Sequence, residues 1–455
     1  MTSDSSSLFC PLEFRYGRRE VRELFSRRAR LGRALRVEAA LAATQAELGI
    51  VPAADAAAIG RVATVEHVSL GRVDALEETT RHDVMAMTLA LAEAAGPSGR
   101  WVHFGATSVD ITDSALALEH QETLAVLRRD LTALAQVLAD LARKHRATPE
   151  VGRTHGQHGI PFSFGYKMAV AAAEVLRHRE RLDQLSPRLC VGKIAGAIGT
   201  GAGFGALAAA VESGVMRRLG IQADDAPTQI IGRDRIAELT NFLALVAGTA
   251  ERLATEVRNL QRTEIGEVAE PFDEARQVGS STMAQKRNPM VSENVSSLAR
   301  LIRAFALPPL ENMVQWHERD LSNSANERIV LPHAILLTDD VLSKLTVVFR
   351  GLDVDVARMQ ANLTASGGTA MSEALMLALT SAGLERAASH ELLRRLTYRP
   401  HEPPSLLERA RADPTVAKLL TPADIERLLD PASYVAAATS KTDRILSRIE
   451  PLLAA

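Results

Sequence analysis

Leu124, Leu127, Leu131, Leu134, Leu138 and Leu141 follow one another at alternating steps of three and four. That spacing lays one apolar stripe along a helix. The surrounding segment, from about Ile111 to His145, contains neither glycine nor proline, so one long helix is expected there. A stripe of that length has to be buried against other helices, and the chain supplies them. From about Ile236, the residues Leu239, Phe242, Val246, Leu253, Val257 and Leu260 share one side of a second helix. A third is expected after Pro289, which suits a first helical turn because its missing N–H has no partner there. It carries Val295, Leu298 and Ile302 before "LPPL" stops it. A fourth is expected from near Pro332 through "HAILLTDDVLSKLTVVF". Long helices with one apolar stripe pack side by side, so the expected fold class is all-α with an elongated central bundle. The stripes read as ordinary core, with some of the leucine surface free to meet sister subunits.

Composition agrees. Aromatic residues are only 4% of the 455 residues, while alanine and leucine carry most of the apolar content, a balance that favours helix over sheet. The formal net charge of -2 gives no global pull toward nucleic acid or anionic membrane, so neither is expected as a partner. Cys10 and Cys190 form neither a disulfide framework nor a metal-ligand spacing and are expected as reduced thiols. The start "MTSDSSSLFC" lacks the basic and apolar stretches of a signal peptide, and no apolar run reaches the roughly 18 residues a membrane span needs. A cytoplasmic location is the expectation. Breaks at "GIVPAAD" and "GPSGR", and later at "TASGGTAMS" and "YRPHEPPS", suggest three helical domains: a head at 1–110, the long-helix bundle at 111–362 and a tail of short helices at 363–455.

Polar islands interrupt this helical text where a bundle has no need of them. "TTRHDVMA" sets Arg81, His82 and Asp83 at a helix start. In "HFGATSVDITDSA", Thr107 can cap the next helix while Asp110 reaches back, a capping-box pattern. The same amino terminus, with free N–H groups at Thr107 and Ser108, is also a natural carboxylate site. "GRTHGQHG" holds Thr154, His155, Gln157 and His158 in what reads as a glycine-bounded loop. A metal on His155 and His158 would lack a third ligand at the usual spacing; a histidine acting as acid or base is the alternative. "WHERDLSNSANER" contains Arg319, Ser324 and Arg328. On one helix the two arginines would face apart as a solvated charged surface; with a bend they could clamp a phosphate. Finally "GSSTMAQKRNPM", residues 279–290, sets a loose serine-rich run before Lys286, Arg287 and Asn288.

"GSSTMAQKRNP" resembles the signature loop of the fumarase/aspartase superfamily, and "HFGATSVDITD" and "GRTHGQHGIPFSFGYKMA" resemble its two other shared regions. "FRYG", "TRHDVMA", "TQIIGRDR", "LQRTEI" and "WHERDLSNSANER" are closest in wording to the branch that cleaves adenylosuccinate. The resemblance implies a homotetramer whose twenty-helix core takes five long helices from each chain, with active sites shared among three subunits. It implies elimination of fumarate from an N-succinyl nucleotide of purine synthesis, without metal or organic cofactor. By the same resemblance Ser281 is the base and His155 the acid, Glu293 orients the histidine, and His82 assists binding and proton handling. Lys286, Asn288, Thr107 and Ser108 would meet the carboxylates. Arg15, Tyr16, Arg81, Arg319, Ser324 and Arg328 would hold the nucleotide phosphate, and Asp83, Thr154, Gln157 and Gln229 would complete the substrate site.

The chemistry explains these residue types on its own terms. Removing a proton beside a carboxylate builds negative charge, which cations and N–H donors must be placed to meet. The leaving nitrogen needs an acid on the opposite face. A serine serves as base only if positive charge favours its alkoxide, here Lys286 and the helix end at Pro289, with the loop closed over the site to exclude water. The chain departs from the family pattern at Ala284 and Gln285, where proline and a ring-bearing residue are usual, and at Ile236, where many relatives have histidine. Without the proline the open loop is less restrained, so closing it costs more entropy. A lyase acting on another N-succinyl compound shares all of this chemistry. A carboxymuconate cycloisomerase fits "THGQ" and the arginine set poorly, and a non-catalytic relative has no use for Ser281, His155 and Lys286 together.

Overall fold

The structure, a computed structural model, describes residues 9–273, 275–280, 282–398 and 403–454. The described chain is mostly helical, with a few short strands. Its longer helices are α1 (Arg27–Glu47), α2 (Asp83–Ala95), α3 (Ser108–Lys144), α4 (Phe164–Leu189), α5 (Ala208–Leu219), α6 (Asp234–Leu260), α7 (Met290–Ala304), α8 (Ser324–Arg350) and α9 (Ala432–Ala454). The chain divides into two compact units. The first comprises residues up to Asp130, His178–Gly248 and Ser297–Leu342; the second comprises Leu131–Arg177, Thr249–Ser296 and residues from Ser343 onward. Among the described residues no helix is long and apolar enough to cross a membrane.

The expected helices are present, and their stripes are core. Leu127, Leu131 and Leu134 are each 1% exposed and Leu138 is fully buried. Leu239, Val246, Leu253, Val257, Val295 and Ile302 are buried as well. The seam leucines are therefore covered within the chain and leave no surface for a sister subunit. The apolar surface left open belongs to other residues, among them Leu245, Leu301, Ile329 and Val347.

Four expectations need correction. Helix α8 starts at Ser324, eight positions before Pro332, so the proline lies inside the helix. Proline there removes one backbone hydrogen bond, but burial of Val330 and Leu331 ties the preceding turn into the first unit. Helix α4 was not among the expected helices; its buried face mixes alanines (Ala169, Ala171, Ala172) with Met168, Val175, Leu182 and Leu185. "GRTHGQHG" is not a loop but part of an antiparallel pair, β1 (Pro149–Thr154) with β2 (Gln157–Ser163), which qualifies the all-α reading. The tail does not consist of short helices alone: it ends in the 23-residue α9. The stripe of α9 formed by Val435, Ala438, Thr442, Leu446 and Ile449 is buried. The "YRPHEPPS" turn lies partly outside the described residues.

In the first unit the core joins Leu35 and Leu41 of α1, Leu91 of α2, Ile111 and Leu118 of α3, and Val211 and Val215 of α5. In the second, a small core in the tail gathers Leu375, Leu379, Leu392, Leu406, Val416 and Ile425. Truncating a fully buried leucine removes apolar contact and leaves a cavity. The Leu127→Ala variant should lose about 2–5 kcal/mol of stability, read as a lowered midpoint in denaturant unfolding; an unchanged midpoint would show that this seam does not carry the fold.

Candidate active site

The first unit presents its candidate groups on segments held by buried charge. The N-terminal arm, with Arg15 exposed and Tyr16 half-buried, is anchored by Arg18. That residue's Nε donates to Asp339 Oδ1 at 2.9 Å, its backbone N–H donates to Oδ2 at 3.3 Å, and its guanidinium also pairs with Asp130. Burial and the adjacent Asp339 carboxyl push Asp130 up to about 7. At the start of α2, Arg81 adopts a left-handed conformation (φ 53°), and the Nδ1 of His82 accepts from the N–H of Met85 at 3.3 Å. Asp83 accepts from Arg328 Nη2 at 2.8 Å. Burial works against the Asp83 charge, but Arg328 outweighs it and holds the carboxyl below its ordinary value.

The turn before α3 is built the same way. Asp110 is fully buried and accepts from the N–H of Thr107 at 2.9 Å, completing the acidic half of the expected capping box. It also accepts from the N–H groups of Ala195 and Gly196, each at 3.0 Å, and pairs with the fully buried Lys193. Thr107 and Ser108 are thereby tied to a glycine-rich segment. His103, which the sequence reading did not single out, sits just upstream in a left-handed conformation (φ 60°). Its Nδ1 lies 2.6 Å from Glu38 Oε1. Burial opposes charging of this ring, but Glu38 outweighs it and raises the pKa above the usual histidine value. The available signal was Glu38 itself, a carboxylate placed among the apolar positions of α1.

Arg319 lies in the turn before α8, so the segment does bend between the two arginines. Arg319 Nη1 donates to Gln229 Oε1 at 2.9 Å, and Gln229 Nε2 donates to the carbonyl of Ala197 at 2.7 Å. Burial lowers the pKa of Arg319. Ser324 is half-buried in the first turn of α8. The structure thus couples Gln229 to Arg319 and Asp83 to Arg328.

In the second unit His155 occupies the tip of the β1–β2 hairpin. Thr154 pairs with Gln157 across a two-residue turn in which His155 (φ 56°) and Gly156 (φ 75°) are both left-handed, the geometry that twists correctly between antiparallel strands. Thr154, His155 and Gln157 are exposed. The hairpin is clamped on both sides of its bulge. Arg153 donates to both oxygens of Glu267 (2.9 and 2.6 Å), Asn362 donates to Glu267 Oε1 at 2.8 Å, and Lys167 bridges Glu150 and Glu256. Among the described residues no group of three or more potential ligands is arranged to hold a metal.

The serine-rich run also lies in this unit, with Ser281 outside the described residues. Ser280 Oγ accepts from the N–H of Met283 at 3.1 Å, and Asn288 Nδ2 donates to the carbonyl of Gly279 at 3.0 Å. A Cβ at Gly279 would stand 2.2 Å from the Lys286 carbonyl, so only glycine fits there. Lys286 is exposed, as is Glu293 in the first turn of α7. Among the described residues no hydrogen bond or ion pair joins His155 to Glu293. Glu270 alters the expected electrostatics: it accepts from the N–H groups of Val291 (3.1 Å) and Ser292 (2.6 Å). A carboxylate therefore occupies the helix end that was expected to favour an alkoxide, leaving the side-chain cations Lys286 and Arg287 as positive groups of the loop.

A family described as Lyase matches residues 13–303, and one described as Adenylosuccinate lyase C-terminus matches residues 368–445, which sets the chain among the helical lyases. It is similar to the adenylosuccinate lyase of Pyrococcus abyssi, with 44% identity over 443 residues, covering 97% of this chain and 98% of that one. The adenylosuccinate lyase of Methanothermobacter thermautotrophicus is 41% identical, with 97% and 99% covered. Among solved structures, a 3-carboxy-cis,cis-muconate lactonizing enzyme from Pseudomonas putida matches with a TM-score of 0.87 and 33% identity, over 97% of this chain and 98% of that one. The chain belongs to the adenylosuccinate lyase family.

The hairpin clamp leaves a measurable signature in pH. Burial pushes Glu150 up to about 7; Lys167 opposes this, and the nearby Glu267 and Glu256 add to it. In the unfolded chain the same group titrates near about 4.3. Between those values the folded state binds the extra proton, so stability falls as pH rises from about 4.5 through 7. The Glu150→Gln variant should lose that slope, by up to about 3 kcal/mol across the window. Equal slopes for the two proteins in thermal unfolding between pH 4.5 and 7.5 would show that Glu150 is ionised throughout.

Proposed function

We propose that the protein eliminates fumarate from N-succinyl nucleotides, converting adenylosuccinate to AMP and carrying out the matching step on succinylated aminoimidazole carboxamide ribotide. The observation that carries this reading is the set of forked cations in one unit: Arg319 against Gln229 and Arg328 against Asp83, with Arg15 and Arg81 exposed. Guanidinium forks match phosphate oxygens. A carboxymuconate carries no phosphate, so the muconate lactonizing relative shares the fold without a need for that set. An N-succinyl substrate from another pathway is the second reading, favoured by Ala284 and Gln285 in the serine-rich run.

In this proposal Ser281 removes the proton next to the succinyl carboxylate, and Lys286 favours its alkoxide now that Glu270 occupies the end of α7. Asn288, with the turn at Thr107 and Ser108, meets the developing charge. His155 protonates the leaving nitrogen, and Glu293 orients it. His82 assists binding and proton handling near the phosphate and succinyl groups, Asp83, Thr154 and Gln157 complete the substrate site, and Tyr16 and Ser324 join the arginines at the phosphate. The reaction as proposed uses no metal or organic cofactor. The working unit is a homotetramer with a twenty-helix core, each site assembled from three subunits. One feature supports this: Leu245, Leu301, Ile329 and Val347 leave apolar helix surface uncovered. The three-part division at residues 110 and 362 follows the same reading, as does a cytoplasmic location.

The test is fumarate release from adenylosuccinate by the purified protein. Rapid turnover is expected; inactivity here, with release from a different succinyl amine, would favour the second reading. Ser281→Ala should lower kcat by at least about 1,000-fold while leaving substrate binding nearly intact, and near-normal turnover would remove Ser281 as the base. Arg328→Ala should raise KM for the phosphorylated substrate by about 10-fold or more; an unchanged KM would show that the phosphate lies elsewhere.

A further inference from the structure

Behind the phosphate-facing groups of the first unit lies a buried charge cluster with no contact to substrate in the proposal above. Arg233 is 8% exposed, Asp113 5% and Glu327 8%. Both terminal nitrogens of Arg233 donate to Asp113, each at 3.0 Å, and its Nε lies 3.1 Å from Glu327 Oε1. Arg233 also donates to the carbonyl of Ile231 at 3.0 Å, while Asp113 accepts from the N–H of Ile231 at 3.0 Å. One guanidinium therefore joins α3, the 229–233 segment and the first turn of α8.

The positions of these anchors matter. Ile231 stands two residues from Gln229, which holds Arg319, and Glu327 is the residue before Arg328. We infer that Arg233, with Asp113 and Glu327, is a positioning residue that sets the spacing of Gln229, Arg319 and Arg328 and so determines how strongly a substrate phosphate is recognised. This rests on the reading of the substrate as a phosphorylated N-succinyl nucleotide.

Two further features fit the assignment. His120 is buried beside Arg233 with neither ring nitrogen hydrogen-bonded, and burial together with the Arg233 charge pushes its pKa down to about 4. The neutral ring adds no competing cation to the cluster. The cavity there, about 20 Å³ and lined by Asp113, His120 and Arg233, has room for a single water and none for a second side chain to replace the guanidinium. Lysine cannot substitute, because a point charge on a flexible stem cannot serve two carboxylates and a carbonyl in a fixed plane.

The experiment compares adenylosuccinate with its dephosphorylated counterpart, succinyladenosine, as substrates of the wild type, Arg233→Lys and Glu327→Gln. For Arg233→Lys, kcat/KM on adenylosuccinate should fall about 30-fold or more, mainly through KM, while on succinyladenosine it falls no more than about 3-fold. Glu327→Gln keeps size and hydrogen-bonding capacity and should shift the same ratio in the same direction by about 5-fold, which keeps the test open if the lysine variant does not fold. Equal losses on both substrates, or an unchanged ratio in Glu327→Gln, would overturn the positioning role. A wild type unable to cleave adenylosuccinate would instead overturn the function beneath it.

Discussion

A carboxylate withdrawn from water must find donors, and the longest described helix, α3, buries four of them between Asp110 and Asp130. Asp110 is fully buried, Glu119 is 3% exposed, and Asp113 and Asp130 are each 5% exposed. Each brings a distant segment to α3. Asp110 takes Lys193 and the adjoining N–H groups, Asp113 takes Arg233, Glu119 takes Arg30 and Arg33, and Asp130 takes Arg18. Removing one partner from such a pair leaves an uncompensated buried charge, which is far more costly than losing a surface pair. The polar segments around the first unit's candidate site therefore have fixed attachment points on a single helix.

That arrangement separates what must stay still from what must reach. Gln229, Arg319 and Arg328 hang from buried anchors, whereas His155, Lys286 and Glu293 are exposed at a hairpin tip, on a loop and at a helix start. The hairpin is held near its base, where Lys167 meets Glu150, and again next to the turn, where Arg153 meets Glu267, while the turn itself is exposed. In the proposed reaction, an acid held that way would keep its direction while staying accessible. The serine-rich run differs: among its described residues Ser280 Oγ accepts from the N–H of Met283, Asn288 Nδ2 donates to the carbonyl of Gly279, and Gln261 Nε2 donates to the carbonyl of Arg287.

The long helices were legible because a stripe of leucines at steps of three and four is a local pattern, read from neighbouring letters. Helix α4 and the closing helix α9 were not, since their buried faces mix small, polar and aliphatic residues, as in Val435, Ala438 and Thr442 of α9, and show no unbroken leucine stripe. The start of α8 was misplaced because proline usually marks a boundary, and only packing around Val330 and Leu331 shows that here it does not. "THGQ" looked like a loop for a related reason: glycines on either side signal a turn, but the strands flanking it are short and carry few β-favouring residues. Most of the polar groups at the site were visible as islands. Their partners, Glu38, Lys193, Arg233 and Glu270, were not.

From its letters alone the protein could be read as a set of long amphipathic helices carrying polar interruptions of a recognisable lyase type, because periodicity and motif are properties of neighbouring residues. Only the folded chain decided which charges answer one another. Asp113 and Arg233 stand 120 residues apart, and nothing in either identity chooses the other among the 53 basic and 55 acidic side chains. Charge is cheap in water and costly inside, so the pairing is set by which groups the packing of the helices excludes from solvent together.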